Sequence, residues 1–378
     1  MEKTLGLYIH IPFCEKKCDY CNFVSYCTKD EEKRDYVNNL IREIQMQGAK
    51  YRDCQVDSIF VGGGTPTCLQ DGFLLMIMQA LYQNFKVLTG SEITVECNPN
   101  SLTVAKLLEL KKAQVNRLSI GLQAYNNKTL KKIGRLHNKK QFDECYKSAR
   151  RLGFDNISAD LILGLPGQKL CDIKRELKHL VKLGVNHISA YGLILEEKTK
   201  LYKDVESGKI RLPNEDKSLK MYQITKKLLQ KYGYYRYEVS NFAQKGYESR
   251  HNLKYWQDKE YLGLGVVSSS YIDGKRWKNV DDLKTYAEAI KQNKIQIEEE
   301  ETIDAKAKIE ESIMLGLRTS DGIDLQKLKE TCDFDLLAER QKQIDDLLEQ
   351  QLVKVQDGRL FCTDRGFEVL NQIVLELV

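Results

Sequence analysis

Short β-branched or apolar runs alternate with longer stretches of helical periodicity through the first half of this chain. That rhythm restricts its fold more than any other feature. The runs are Leu5–Ile11, Asp57–Val61, Glu92–Cys97, Arg117–Leu122, Ile157–Leu163 and His187–Leu193; the helical stretches are 31–49, 70–86, 103–113, 127–152 and 169–183. Repeated βα units predict a parallel sheet covered by helices. Gly48, Gly153 and Gly184 follow helical stretches as C-terminal caps do. With no dinucleotide fingerprint among the turns, the series predicts an α/β protein built on a partial (β/α)6 TIM-like barrel rather than a Rossmann sheet.

The rhythm stops near residue 200, and an aromatic-rich segment follows from Tyr232 to Tyr261. The run Glu298–Glu301 reads as a solvated linker or helix start. From there the pattern is helix, helix, helix, hairpin, helix, with Asp357-Gly358 as the turn of a hairpin over Leu352–Cys362. The expected organisation is a core barrel over 1–230, a connecting region over 231–300, and a small helical, winged-helix-like module over 301–378. Acidic and basic residues mix evenly in that module, and the net charge of the chain is only +5, so nucleic acid is not an expected partner. No apolar run reaches membrane-spanning length, and Leu5–Phe13 contains His10 rather than leading to a signal-peptide cleavage site. Together with an odd number of cysteines, 11, this predicts a cytoplasmic protein with reduced thiols.

In parallel βα architectures chemistry collects where strands end. The first strand ends in Cys14, Cys18 and Cys21, a CxxxCxxC cluster. A structural zinc site uses four ligands, commonly as two CxxC pairs, and there is no second pair. Three thiolates on a four-iron cluster leave one iron open to another ligand. Cys27 is a poorer candidate. The second strand ends in Gly62-Gly63-Gly64-Thr65-Pro66-Thr67, where glycines allow either a tight turn or close approach of the backbone to an anion. Glu96 ends the third strand, Gln123 follows the fourth, Asp160 lies in the fifth, and Arg135 sits in Gly134-Arg135-Leu136-His137. On one barrel rim, two carboxylates, an amide and a guanidinium suit a ribose, an amine and a carboxylate. His10 reads as a positioning residue beneath the cysteine loop. His251, beside Asn252, Tyr255 and Trp256, reads either as a hydrogen-bonded core residue or as an axial ligand to haem iron.

The cysteine cluster resembles that of the radical S-adenosylmethionine (radical SAM) superfamily. Its flank Tyr8-Ile-His-Ile-Pro-Phe-Cys14, with Gly62–Thr67, Arg117–Gln123, Gly134–His137 and Asp160-Leu-Ile-Leu-Gly-Leu-Pro-Gly167, is similar to the HemN/HemW group, and the similarity covers nearly the whole chain. That group contains oxygen-independent coproporphyrinogen III oxidases and haem chaperones. The oxidases carry a fourth cysteine two residues after the third; here that position is Phe23, as in the chaperone branch. Ser249-Arg-His-Asn-Leu-Lys-Tyr-Trp256 resembles the HNxxYW motif of that branch, which is implicated in haem binding. Gly263–Ser270 departs from the pattern by lacking the histidine usual near its end.

The resemblance implies that Cys14, Cys18 and Cys21 ligate a [4Fe–4S] cluster. Its open iron would take the amino and carboxylate groups of S-adenosyl-L-methionine, whose sulfonium bond breaks on one-electron reduction. Tyr8, Tyr20, Gly63, Gly64, Thr65, Glu96, Gln123, Arg135 and Asp160 would line the pocket, and His251 would contribute to haem binding. The implied partners are haem or a porphyrinogen, a haem-accepting membrane protein, and an electron donor such as flavodoxin or ferredoxin. The implied function is a haem chaperone. The alternatives are oxidative decarboxylation of coproporphyrinogen III, a radical SAM methyltransferase and, more distantly, a winged-helix nucleic-acid binder.

Overall fold

The computed structural model describes residues 4–378. Six strands run β1 (Thr4–Ile11), β2 (Gln55–Gly63), β3 (Lys86–Cys97), β4 (Arg117–Gln123), β5 (Asn156–Leu163) and β6 (His187–Gly192). Each pairs in parallel with the next in sequence. Helices α1 (Asp30–Lys50), α2 (Phe73–Asn84), α3 (Val104–Lys112), α4 (Asn127–Lys132), α5 (Lys139–Arg151) and α6 (Leu170–Leu183) fill the crossovers. A strand order that follows the sequence marks a barrel; a doubly wound sheet reverses its order at a switch point. The sheet does not close among the described residues, so the expected partial barrel is what forms.

Alternation along each strand sorts the side chains. Leu5, Leu7, Ile9 and Ile11 of β1, Leu118, Ile120 and Leu122 of β4, and Ile157, Ala159 and Leu161 of β5 are buried in the main core with the helices. The intervening positions face the concave side and are polar: Ser119 and Gln123 on β4, Ser158 and Asp160 on β5. Apolar residues outward and polar residues inward make a sheet that is packed by its helices and lined for a ligand.

Two expectations about the helices are corrected. Gly48 lies inside α1, where its lack of a side chain admits Asn84: a Cβ there would come within 2.6 Å of the Asn84 Cβ. Only Gly153 and Gly184, at φ +78° and +81°, stand at helix exits. The stretch 127–152 is two helices, parted by a loop in which Gly134 takes φ +77° and Asn138 caps α5 with a reciprocal Gln141 contact.

Two helices follow β6, α7 (Lys200–Glu206) and α8 (Glu215–Lys231). The region over 231–300 then belongs to the same sheet. β7 (Tyr235–Arg236) and β8 (Asn241–Ala243) extend it beyond β6; after α9 (Arg250–Trp256), β9 (Tyr261–Leu264) pairs in parallel with β1. β10 (Ser269–Ile272), β11 (Lys275–Asn279) and, after α10 (Leu283–Lys291), β12 (Ile297–Thr302) continue that edge in antiparallel fashion. Glu298–Glu301 is therefore an edge strand rather than a linker or helix start, its carboxylates answered by Lys275, Arg276 and Lys278 of β11. A charged edge resists pairing with other chains.

The C-terminal part runs α11 (Ala305–Gly316), β13 (Ile323–Asp324), α12 (Leu325–Cys332), α13 (Leu336–Glu339), α14 (Gln341–Glu349), β14 (Val353–Gln356), β15 (Arg359–Cys362) and α15 (Leu370–Leu377). It has its own core of residues such as Ile313, Leu328, Leu347, Leu360 and Ile373, and a three-stranded sheet ordered β13-β15-β14. The hairpin turns at Asp357-Gly358, both at positive φ, as its sequence predicts.

Candidate functional site

β1 delivers the chain to a loop closed at its base. The Cys14 N–H donates to the Tyr26 carbonyl at 3.0 Å, and the Tyr26 N–H donates to the Pro12 carbonyl at 2.7 Å. Within the loop the Cys21 N–H donates to the Cys18 carbonyl at 3.2 Å, a turn that puts the second and third cysteines on adjacent corners. The loop is fastened to its surroundings by the Asp19 N–H to the Ile133 carbonyl and the Leu201 N–H to the Asp19 carbonyl, at 3.1 and 2.7 Å. Cys14, Cys18 and Cys21 are half-buried, whereas Cys27 is exposed. Burial pushes the Cys14 and Cys21 thiols up, and each also feels the charge of Cys18.

No group of side chains among the described residues forms a single-ion metal site. Three half-buried, mutually sensing thiols on one closed loop instead fit a wider inorganic centre, and cysteine thiolates are what iron–sulfur clusters use. Two further cysteines come into electrostatic range of Cys14: Cys27, which is exposed, and Cys68, which the sequence reading did not single out and whose thiol donates to the Phe13 carbonyl at 3.3 Å.

The glycine turn after β2 packs under this loop. The Gly64 N–H donates to the Ile11 carbonyl and the Thr65 N–H to the Phe13 carbonyl, at 2.8 and 2.7 Å. Gly63 has φ +109°, and a Cβ on it would lie 2.6 Å from the His10 ring; one on Gly64 would lie 2.6 Å from the Phe13 carbonyl oxygen. Neither position admits a side chain. Thr65 Oγ1 lies 3.5 Å from Cys14 Sγ.

Across the concave face, the Gly63 N–H donates to Glu96 Oε2 at 3.2 Å. Burial, aided by the charge of Asp160, pushes the Glu96 carboxyl up to about 8. Asp160 accepts from Ser119 Oγ at 2.9 Å and from Ser158 Oγ at 3.0 Å. Gln123 is held at φ +66°, a conformation uncommon outside glycine. Arg135 donates to the Gly121 carbonyl at 2.6 Å and reaches Cys18 Sγ at 3.7 Å. The structure thus brings Gly63, Gly64, Thr65, Glu96, Gln123, Arg135 and Asp160 onto one rim with the cysteine loop. Unpartnered buried atoms at Arg135 Nε and Asn98 Oδ1 leave polar capacity for a ligand there.

Tyr20, on the cysteine loop between Cys18 and Cys21, hydrogen-bonds with Arg135 and Cys18 and packs on Ala124, Leu130, Ile133, Ile162 and Leu165. Tyr8 spends its hydroxyl on His10 Nδ1, 3.1 Å away, and stacks on Phe60. Burial lowers the His10 imidazole to about 4, so it is neutral, consistent with a positioning role.

His251 is not on the rim. It has no solvent exposure; Nδ1 lies 3.0 Å from Ser58 Oγ, Nε2 lies 2.9 Å from the Tyr255 hydroxyl, and the ring stacks on Phe60. Of its two sequence readings, the hydrogen-bonded core residue is the one assembled, and neither nitrogen is open to a haem iron. The helix carrying it, α9, closes the opposite mouth of the barrel: its first N–H groups, on Arg250 and His251, donate to Glu92 at 2.9 and 3.0 Å.

The sequence reading missed Ser119, Ser158, Glu92 and Tyr191. Tyr191 lies inward on β6 and is 42% exposed. The two-residue period was the available signal for three of them, since Ser119 and Ser158 precede Gly121 and Asp160 by two and Tyr191 follows Ser189 by two.

The chain is similar to known proteins over nearly its whole length. Residues 8–188 match the model of the Radical SAM superfamily, and residues 303–369 match the HemN C-terminal domain. The protein named heme chaperone HemW of Bacillus subtilis (strain 168) is 36% identical, covering 97% of this chain and 97% of that one. The chain belongs to the HemW family of radical SAM proteins. A second HemW, of Lactococcus lactis, is also 36% identical and covers 99% of this chain and 97% of its own. A Bos taurus relative, radical S-adenosyl methionine domain-containing protein 1, mitochondrial, is 32% identical over 99% of this chain and 87% of its own. Among solved structures, coproporphyrinogen III oxidase (HemN) of Escherichia coli, a radical SAM enzyme, matches with a TM-score of 0.87 at 25% identity, covering 100% of this chain and 90% of that one. Among the described residues of this HemW-family chain, no helix is long and apolar enough to cross a membrane.

Proposed function

We propose that this protein is a cytoplasmic haem chaperone that carries a [4Fe–4S] cluster and delivers haem to a membrane acceptor. The observation that carries this reading is similarity along 97% of the chain to a protein named heme chaperone HemW. Phe23 supports it: it is 68% exposed on the cysteine loop, where the oxidases have a fourth cysteine. In this reading Cys14, Cys18 and Cys21 hold the cluster. Glu96 and Asp160 receive the ammonium and ribose hydroxyls of S-adenosyl-L-methionine, while Gly63, Gly64 and Thr65 bring backbone close to its methionyl end. Arg135, Gln123 and Tyr20 complete the pocket, with Tyr8 supporting it from behind. Bound there, the cluster would supply one-electron reducing chemistry, with a flavodoxin or ferredoxin as its electron source. The protein's own part is to orient the ligand and exclude water. Residues 1–230 act as the site-bearing barrel, 231–300 as the part that widens the sheet, and 301–378 as a module that helps to bind the cargo.

Oxidation of coproporphyrinogen III is the second reading, favoured by the TM-score of 0.87 to the Escherichia coli oxidase. The test is anaerobic. The reconstituted protein is given S-adenosyl-L-methionine, a reductant and coproporphyrinogen III, with Cys18→Ala as the cluster-free control, and products are followed by mass spectrometry. The chaperone reading expects no loss of carboxyl groups from the porphyrinogen, and haem loading measured separately by absorbance. Loss of two carboxyl groups with release of 5′-deoxyadenosine overturns it in favour of the oxidase.

A further inference from the structure

Gln123 stands where β4 loses register with β5. Gly121 pairs with Asp160 and Gln123 with Leu161, so Leu122 is the extra residue of a bulge. A bulge bends its strand and re-aims a side chain. Gln123 takes φ +66°, and its amide lies close to Gly121, where a Cβ would come within 2.8 Å of Gln123 Nε2. A left-handed backbone in a residue with a side chain persists only where the surroundings hold it.

Those surroundings come in two parts. Before Gln123, the Gly121 carbonyl accepts from Arg135 at 2.6 Å, and the Leu122 carbonyl lies 3.2 Å from His137 Nε2. Both partners belong to the loop that also bonds the cysteine loop, through the Ile133 carbonyl. After Gln123, the bonds come from the helices outside the barrel. The Tyr125 N–H donates to Glu176 of α6, and the Tyr125 hydroxyl donates to Asp143 Oδ2 of α5 at 2.8 Å. Asp143 Oδ1 lies 2.8 Å from His179 Nε2 of α6, and the His179 ring stacks on Tyr125 with centroids 4.0 Å apart. Lys139 Nζ stands 5.3 Å from the centre of the same tyrosine ring. Glu176 and His179, three residues apart, share one face of α6. Packing alone does not fix this segment, because a cavity of about 10 Å³ lies between it and α6, with Ala124, Tyr125, Arg175 and Glu176 in its wall. Burial pushes the Glu176 carboxyl up to about 8, against the pull of the Tyr125 N–H. A neutral acid there tethers the backbone without a buried charge to compensate.

We propose that Tyr125 is a positioning residue for Gln123: anchored by Glu176, Asp143 and His179, it holds the bulge in its left-handed form and so sets where the Gln123 amide stands in the S-adenosyl-L-methionine pocket. The proposal rests on the pocket reading above and extends it to three residues of the outer helices α5 and α6. Gln123 is thereby fixed from both sides, by the cysteine-loop side through Arg135 and His137, and by the helical layer through Tyr125. Releasing the second anchor leaves Gln123 free to return to an extended backbone, which moves its amide away from the ligand.

The test uses the full-length protein in two states. Without the cluster, amide hydrogen exchange of the segment 122–126 is followed by mass spectrometry, and Tyr125→Phe is expected to speed it by about fivefold or more. After anaerobic reconstitution, S-adenosyl-L-methionine binding is measured by equilibrium dialysis, and Tyr125→Phe is expected to weaken it by about three- to tenfold. In a Gln123→Ala background the same change is expected to add nothing, because the residue it positions is gone. Glu176→Ala is expected to act as Tyr125→Phe does, and Glu176→Gln, which keeps an oxygen for the Tyr125 N–H, to behave as wild type. Unchanged exchange in both Tyr125→Phe and Glu176→Ala overturns the anchor and leaves the pocket reading standing, as does faster exchange with unchanged affinity. An equal loss of affinity with and without Gln123 also overturns it, because Tyr125 then acts on its own. A reconstituted wild-type protein that does not bind S-adenosyl-L-methionine overturns the pocket reading and this inference together.

Discussion

His251 shows how much a side chain's surroundings decide about its chemistry. Its imidazole is lowered to about 3 by burial and by the charges of Lys254 and Arg117, and it fills a slot between Phe60 and Tyr255 while bridging two hydroxyls. Removing it leaves a void and strands the hydroxyls of Ser58 and Tyr255. His251→Ala is therefore expected to cost about 2–4 kcal/mol of stability, read from the shift in a urea unfolding curve. Compared at a temperature where both proteins are folded, haem affinity should change by no more than about twofold, within the range of indirect effects, and cluster content should not change. A loss of haem affinity at unchanged stability would return the residue to the role of an iron ligand. Two other residues carry backbone conformations that look costly. Val267 is β-branched at φ +63°, and Gln123 is at φ +66° on the rim. The second belongs to the candidate site, where such strain is commonly found.

At the scale of elements, α9 depends on Glu92 more than its sequence indicates. Glu92 is buried on β3, and its two carboxylate oxygens accept from the Arg250 and His251 N–H groups at the helix N-terminus. Glu92→Gln keeps the size but turns an amine toward one of those donors. It is expected to cost about 1–3 kcal/mol, measured by denaturant unfolding. An unchanged midpoint would show that α9 is held by packing alone. Why Glu92 escaped the sequence also explains what was legible. The barrel strands are six to twelve residues long with one face apolar, so Leu5, Leu7, Ile9 and Ile11 declare themselves. The rim was legible for the same reason, because strand ends could be located. The strands of 231–300 are two to six residues long, too short for a two-residue period to mark them. Glu298–Glu301 is exposed on both faces, which a two-residue period cannot report. The break at Gly134 was visible as a glycine, but the apolar pattern on either side ran through it.

For the molecule as a whole, buried titratable groups set the pH dependence of stability. Burial lowers four histidines: His10 to about 4, His137 and His251 to about 3, and His187 further. Burial raises four carboxyls: Glu43 and Glu238 to about 7, Glu96 and Glu176 to about 8. A histidine lowered in the folded state takes up its proton first in the unfolded chain, near 6.5, so stability falls as pH drops from there towards 3. A glutamate raised in the folded state keeps a proton that the unfolded chain releases near 4.5, so stability falls as pH climbs from there through about 8. Between those two unfolded values the trends offset, and above 6.5 the carboxyls act alone. The urea midpoint is accordingly expected to be higher at about pH 6 than at about pH 8.5. Glu96→Gln should narrow that gap, because the amide replaces a carboxyl that must be neutral to stay buried at the lower pH. The same substitution removes the only charge Glu96 can offer an ammonium, so it should weaken S-adenosyl-L-methionine binding even where it stabilises the fold. Equal midpoints at the two pH values would mean that water reaches these carboxyls freely, Glu96 of the candidate site among them.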